Sequence, residues 1–205
     1  MAEMVQDNQD ALEGALLTHS SGLHVLLAPP TPDSAELVTA DRMRTVLGRL
    51  SRQHEIIVVD CSSYLNEATL AVLDMADEVI SPIALDIPAI RSARVFVDVS
   101  ERLGYPETKI RMIVNRADTY YGIRREDVER SVGRKVEQVI VGDARAAVHA
   151  LNHGVPFVQD NKKAQISRDV MALAESLFQD TTEEAVATPP PPKARLDRRL
   201  ALARR

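Results

Sequence analysis

The chemically able residues of this chain sit one after another at the ends of short apolar runs. Glu55-Ile56-Ile57-Val58-Val59-Asp60 closes four apolar residues with a carboxylate, and Ile110-Arg111-Met112-Ile113-Val114-Asn115-Arg116 closes a similar run with an amide. Val139-Ile140-Val141-Gly142-Asp143 closes a third with glycine and a second carboxylate. A carboxylate delivered by a buried strand suits the water shell of a Mg²⁺ ion bridging phosphates; it reads equally well as a solvated or helix-capping aspartate. Asn115 offers a donor beside an acceptor, which matches the amino and ring-nitrogen edge of adenine, although a lone Asn after a strand is more often a turn residue. Gly142 lets backbone approach a ligand closely, and Asp143 serves as well to cap the next helix.

Other nucleophiles and metal ligands carry less. No G-x-S-x-G elbow supports a hydrolase at Cys61 or Ser62, and a lone cysteine in an apolar context behaves as a small hydrophobe. His149 and His153 lie one helical turn apart without the glutamate of an H-E-x-x-H zinc motif, so no structural metal is expected. A phosphoacceptor role for Asp60, as in receiver domains, would need an acidic pair after the first strand and a lysine after a later one. Neither Ala28-Pro29-Pro30 nor Val141-Gly142-Asp143 supplies them.

The elements that must position these residues alternate. Strands are expected at 23–28, 55–59, 78–83, 110–114 and 136–141, each rich in Val, Ile or Leu and too short for a helix. Between them, Met43, Val46, Leu47 and Leu50 keep helical spacing; further helices are read at 68–75, 90–103, 127–132, from Asp143 to near Gly154, and at 166–178. Alternation of this kind predicts an α/β fold with a mostly parallel sheet flanked by helices.

Composition agrees. The chain has 205 residues, 45% hydrophobic, with only 3% aromatic and no Trp, so aliphatic side chains must build the core. A single cysteine and an acidic start without a signal-peptide pattern point to a reducing cytoplasm. The net charge of −5 argues against a general nucleic-acid binder. That charge is uneven: Lys193, Arg195, Arg198, Arg199, Arg204 and Arg205 face Asp197 alone at the end of the chain. Three regions are therefore expected: a leader over 1–16, a folded domain over 17–180, and a Pro-rich linker with a basic tail over 181–205.

The order of motifs is more specific than any one of them. An IIVVD strand, then Ile80-Ser81-Pro82, DIPAIRSAR, IVNRAD and GDARAAVHALNHGVPFV closely resembles the MinD/ParA superfamily of P-loop ATPases, and within it the CpaE/TadZ branch associated with assembly of Flp-type pili. The resemblance runs from about Leu17 to Phe178. It implies a P-loop NTPase-like (Rossmann-like) fold, Asp60 as the Walker B aspartate associated with Mg²⁺ through water, and nucleotide contacts from Asn115 to adenine, from Arg116, and from a Gly142-Asp143 loop closing over the base. The missing first portion of the fold would leave sheet edge or apolar helix faces uncovered, which favours a homo-oligomer or a pilus-assembly partner, and the resemblance implies a peripheral place at the inner face of the membrane. Leu196, Leu200 and Ala203 share one helical face beside the basic residues of 193–205, a pattern that could meet anionic lipid.

One part of the family pattern is missing from the sequence. A phosphate-binding loop reads G-x-x-x-x-G-K-[ST], because a glycine-rich turn aims backbone amides at phosphates and a lysine neutralises them. None of Lys109, Lys135, Lys162, Lys163 and Lys193 follows a glycine. The sequence alone thus gives a truncated version of the fold, a scaffold or positioning factor that is not an enzyme as an isolated chain, and at most weak ATP or ADP binding with Mg²⁺. The alternative is the C-terminal part of an active CpaE-like ATPase whose loop lies upstream.

Overall fold

A computed structural model describes residues 9–117 and 122–187. The basic segment 193–205 and its expected lipid-facing stripe lie outside the described residues. Two compact units divide between Val79 and Ile80.

The first unit opens with α1 (Gln9–Ala15), followed by β1 (Leu16–Thr18) and β2 (His24–Leu26). The two strands form an antiparallel hairpin in which Leu16 faces Leu26 and Thr18 faces His24. Its turn is closed by the Leu23 carbonyl, which accepts from the His19 N–H at 2.8 Å. A short α2 (Pro32–Glu36), α3 (Ala40–Leu50) and α4 (Glu67–Met75) complete the unit. Thr39 caps α3 by accepting from the Arg42 N–H, and Asn66 caps α4 by accepting from the Thr69 N–H at 2.8 Å. Such caps satisfy amides that have no partner inside the helix. α3 packs against α4, and Leu47, Leu50, Ala71, Val72 and Leu73 are buried.

The second unit holds a three-stranded sheet in the order β3 (Val79–Ile83), β4 (Ile110–Val114), β5 (Gln138–Val139). β4 and β5 are parallel, with Val114 opposite Val139. α5 (Ile87–Arg102) follows β3, capped by Asp86 with its Ala89 N–H bond at 2.7 Å. α6 (Arg125–Val132) ends at Gly133 and α7 (Ala144–His153) at Gly154, both glycines in the left-handed region that a side chain would disfavour. α8 (Phe157–Asp160) and α9 (Gln165–Ala187) finish the unit. Ile113 and Ile140 from the sheet meet Ile166 and Leu173 of α9 in one apolar cluster, with Phe157 and Val170 packed on it.

Three expectations are corrected. The fold is α/β with mixed sheets rather than a mostly parallel one, because the run at 23–28 turns back on Leu16–Thr18 through a tight hairpin. The run at 136–141 forms only a two-residue strand, although the Glu137 and Ile140 amides extend its bonding to the Met112 and Val114 carbonyls. The apolar run at 55–59 is not a strand at all. Among the described residues no backbone hydrogen bond reaches 55–61, and Ile56 and Val58 are 56% and 88% exposed rather than buried. β-branched composition favours a pleated surface, but a strand exists only where a neighbour completes its ladder.

Candidate functional site

β4 and β5 decide the geometry of the second unit's candidate residues. In a parallel pair the carboxyl ends lie on the same side, which is where ligands bind in α/β sheets. Beyond Val114 the ladder continues: the Ile140 N–H donates to the Val114 carbonyl at 2.8 Å, and the Ala117 N–H donates to the Ile140 carbonyl at 3.0 Å. Asn115-Arg116 and Gly142-Asp143 therefore emerge side by side from one end of the sheet.

Asn115 is tied on two sides. Its N–H donates to the Ile83 carbonyl of β3 at 2.9 Å. Its side-chain oxygen accepts from the Arg116 N–H at 2.9 Å. That oxygen keeps a second lone pair, and the side-chain NH₂ supplies donors, so the donor and acceptor edge suited to adenine survives the turn. Arg116 is exposed and holds φ of 56°, the left-handed region, and it does so as the only non-glycine among the described residues. Backbone held this way costs free energy and concentrates at functional turns. Spacing gave no sign of it.

The glycine and aspartate at the β5 end sit differently. Gly142 is half-buried. Asp143 caps α7, accepting from the Ala146 N–H at 2.9 Å, so one of its two sequence readings is realised while its second oxygen remains available. Asp169 of α9 is the residue that sequence reasoning missed. Its Oδ2 accepts from the Val141 N–H at 3.0 Å and its backbone carbonyl accepts from the Gln138 side chain at 2.6 Å. It positions the approach to the Gly142 loop. A lone carboxylate among Ile166, Val170 and Leu173 was the available signal, and it looks no different from a surface residue on an amphipathic helix.

Asp60 belongs to the first unit and is exposed, following the unpaired 55–59 run. Beside it, partial burial first and the Asp60 charge second push the Cys61 thiol above its ordinary pKa. That shift keeps the thiol protonated, the opposite of what an activated nucleophile requires. Among the described residues no three His, Cys, Asp or Glu side chains converge on a metal position. A single carboxylate nevertheless fits Mg²⁺, which keeps several waters and takes its other ligands from substrate phosphates. A separate groove of about 400 Å³ in the first unit is lined by Thr39, Asp41, Arg44, Glu67, Leu70 and Asp74, and none of the candidate residues lines it. His149 and His153 stack with ring centroids 4.0 Å apart, and His149 Nε2 lies 3.8 Å from Asp160.

No protein-family model matches the chain. Curated relatives do. It is 22% identical over 169 residues to the septum site-determining protein MinD of Thermotoga maritima, covering 80% of this chain and 62% of that protein. It is 26% identical over 185 residues to the chromosome partitioning protein ParA of Myxococcus xanthus, covering 82% and 65%. The chain thus spans somewhat less than two thirds of the length of these relatives. Among solved structures, a ParA family ATPase from Chlorobium tepidum superposes with a TM-score of 0.77 at 21% identity, over 84% of this chain and 72% of that one. MinD from Pyrococcus horikoshii, complexed with Mg-ADP, gives 0.71 at 17% identity over 86% and 72%.

These matches overturn one expectation. A chain without enzymatic function was anticipated from the missing phosphate-binding loop, yet the proteins it matches carry MinD and ParA names, and two of the solved structures are named as ATPases. The absence of that loop from these 205 residues does not make the protein non-catalytic. No helix among the described residues is long and apolar enough to cross a membrane. In sequence the chain is thus similar to a MinD and a ParA protein, and in fold to MinD and ParA family structures.

Proposed function

We propose that this chain is the nucleotide-fold body of a MinD/ParA-type ATPase of the CpaE/TadZ branch, serving as a positioning factor in assembly of Flp-type pili. The observation that carries the nucleotide reading is the parallel β4–β5 pair, which sets Asn115-Arg116 beside Gly142-Asp143 at one sheet end. Asn115 and the two loops hold the base, with Asp169 fixing the approach to Gly142 from behind. Asp60 associates with Mg²⁺ through water. Mg²⁺, when bound, neutralises charge on the phosphates. The branch assignment rests on the motif order from IIVVD to GDARAAV.

Phosphate-binding amides and their lysine are absent from the sequence, so the proposal places them in a segment of the same protein outside these residues. Three measurements test it. The in-frame DNA upstream should encode G-x-x-x-x-G-K-[ST], and the protein extended to include it should hydrolyse ATP with a rate that collapses in Asp60→Ala. Asn115→Ala should weaken ATP more than it weakens a nucleotide with a different base. An upstream sequence without the motif, together with turnover indistinguishable between the extended protein and Asp60→Ala, would overturn the reading.

A further inference from the structure

His149 and His153 belong to α7 but take no part in the sheet end described above. Four residues apart on a helix, they share a face, and their rings stack with centroids 4.0 Å apart and planes inclined by 29°. Both side chains are exposed. Exposed rings gain little from burial, so the ring nitrogens are the more informative feature.

Each ring has one nitrogen turned to an acceptor and one left over. His153 Nδ1 lies 2.9 Å from the His149 carbonyl oxygen. A carbonyl only accepts, so Nδ1 carries the proton and the neutral ring keeps its lone pair on Nε2. His149 Nε2 lies 3.8 Å from Asp160 Oδ2 of α8, too far for a hydrogen bond but on the side where a carboxylate attracts an N–H, which leaves the lone pair to Nδ1. Among the described residues neither His153 Nε2 nor His149 Nδ1 has a hydrogen-bond partner. One nitrogen facing a backbone carbonyl or a carboxylate, with the other open, is the arrangement of histidines that bind metals.

We propose that His149 and His153 form a two-histidine site for a borderline divalent cation of the Zn²⁺, Ni²⁺ or Cu²⁺ class, with Asp160 as its outer carboxylate and water completing the coordination. Ring nitrogens bind such an ion at about 2.0–2.1 Å, so one ion bridges nitrogens up to about 4 Å apart. Exposed rings with centroids 4.0 Å apart need only small rotations to meet that span. Imidazole selects against Mg²⁺ and Ca²⁺, which prefer oxygen, and Asp160 repels an anion. Only two protein ligands take part, in keeping with the lack of any three-ligand cluster among the described residues, and such an open site exchanges its ion readily. Asp143 caps the start of α7 and His153 is its last residue, so the site lies apart from the Gly142 loop and does not depend on the nucleotide reading.

Calorimetric titration of the untagged 205-residue chain with NiCl₂ and with ZnCl₂ tests the site. One ion should bind per chain. Asp160→Asn should weaken binding by about 10-fold, and His149→Gln and His153→Gln each by at least as much. All three side chains are exposed, so the variants should keep the parent's thermal unfolding without metal, whereas added NiCl₂ should raise the midpoint of the parent and not of His153→Gln. Substoichiometric Cu²⁺ should broaden the ring resonances of His149 and His153 together. His24 and His54, whose rings meet edge to face at 5.5 Å, and the exposed Cys61 serve as controls: His24→Gln and Cys61→Ser should titrate like the parent. Absence of binding by the parent overturns the proposal. So does binding that survives in His153→Gln, or that is lost in His24→Gln or Cys61→Ser instead.

Discussion

In β4, Met112 and Val114 are each 1% exposed, with strands on both sides and α9 against Ile113. In 55–60, Val58 is 88% exposed and the backbone has no partner among the described residues. Both stretches are short aliphatic runs closing on a polar residue. The difference lies in what surrounds them: β4 has Ile83 and Ile140 to bond with, and 55–60 has neither. Burial is a property of the neighbourhood, and a strand's own sequence states only a demand for it.

The largest test of this contrast is a pair of truncations. Met112→Ala removes buried volume that the packed sheet cannot refill and should cost about 2–5 kcal/mol. Val58→Ala removes atoms already in water and should change stability by less than about 0.5 kcal/mol. Urea titration of the 205-residue chain measures both. A cost for Val58→Ala comparable to that for Met112→Ala would break the comparison, because it would mean that 55–60 is buried in solution.

A smaller effect is expected at the sheet end of the second unit. Asp169→Ala leaves the Val141 N–H without its 3.0 Å acceptor and should cost about 1–2 kcal/mol. Asp143→Ala removes only the α7 cap, worth about 1 kcal/mol. The amide of Val141 should exchange faster in the first variant and keep its protection in the second. Equal protection in both would show that Asp169 does not hold the loop approach.

These residues also show how far the sequence could be read. The helices were legible because 3.6-residue spacing, a cap such as Asp143, and stops at Gly133 and Gly154 are all local; the Asp86 cap, four residues before the start read for its helix, was not. β4 was legible because its run was long and its neighbours are present. The hairpin pairing of Leu16–Thr18 with His24–Leu26 was not, since a three-residue strand has too few positions to show alternation. Asn115 and Gly142 were read as residues following apolar runs, and the structure sets both at one end of the β4–β5 pair. Asp169 and the left-handed Arg116 were not, because one depends on a contact from α9 across the sheet and the other on a backbone angle that no composition reveals.

The smallest effect concerns how β5 is approached, and it sharpens the contrast in a third way. Where 55–60 has no grip on its backbone, Val136 is gripped on both sides by α6: its N–H donates to Glu129 at 2.9 Å, and its carbonyl accepts from Arg125. The Val136 N–H first, and the Arg125 side chain second, hold the Glu129 carboxyl below the ordinary range; the Arg124 N–H first, with Arg130, does the same for Asp127. A carboxylate whose folded pKa is depressed contributes stability that is complete above its unfolded value and is lost as pH falls through the folded one. With ordinary carboxylates near 4, the loss belongs to the acid range below about pH 4. Glu129→Gln keeps an acceptor for Val136 but removes the charge that Arg125 pairs with, 3.0 Å away. The variant should be less stable than the parent at pH 7, and the gap should close as the parent is titrated toward pH 3. A gap of the same size at both pH values would show that β5 is held by the hydrogen bond alone, leaving packing and backbone pairing as the whole difference between the two regions.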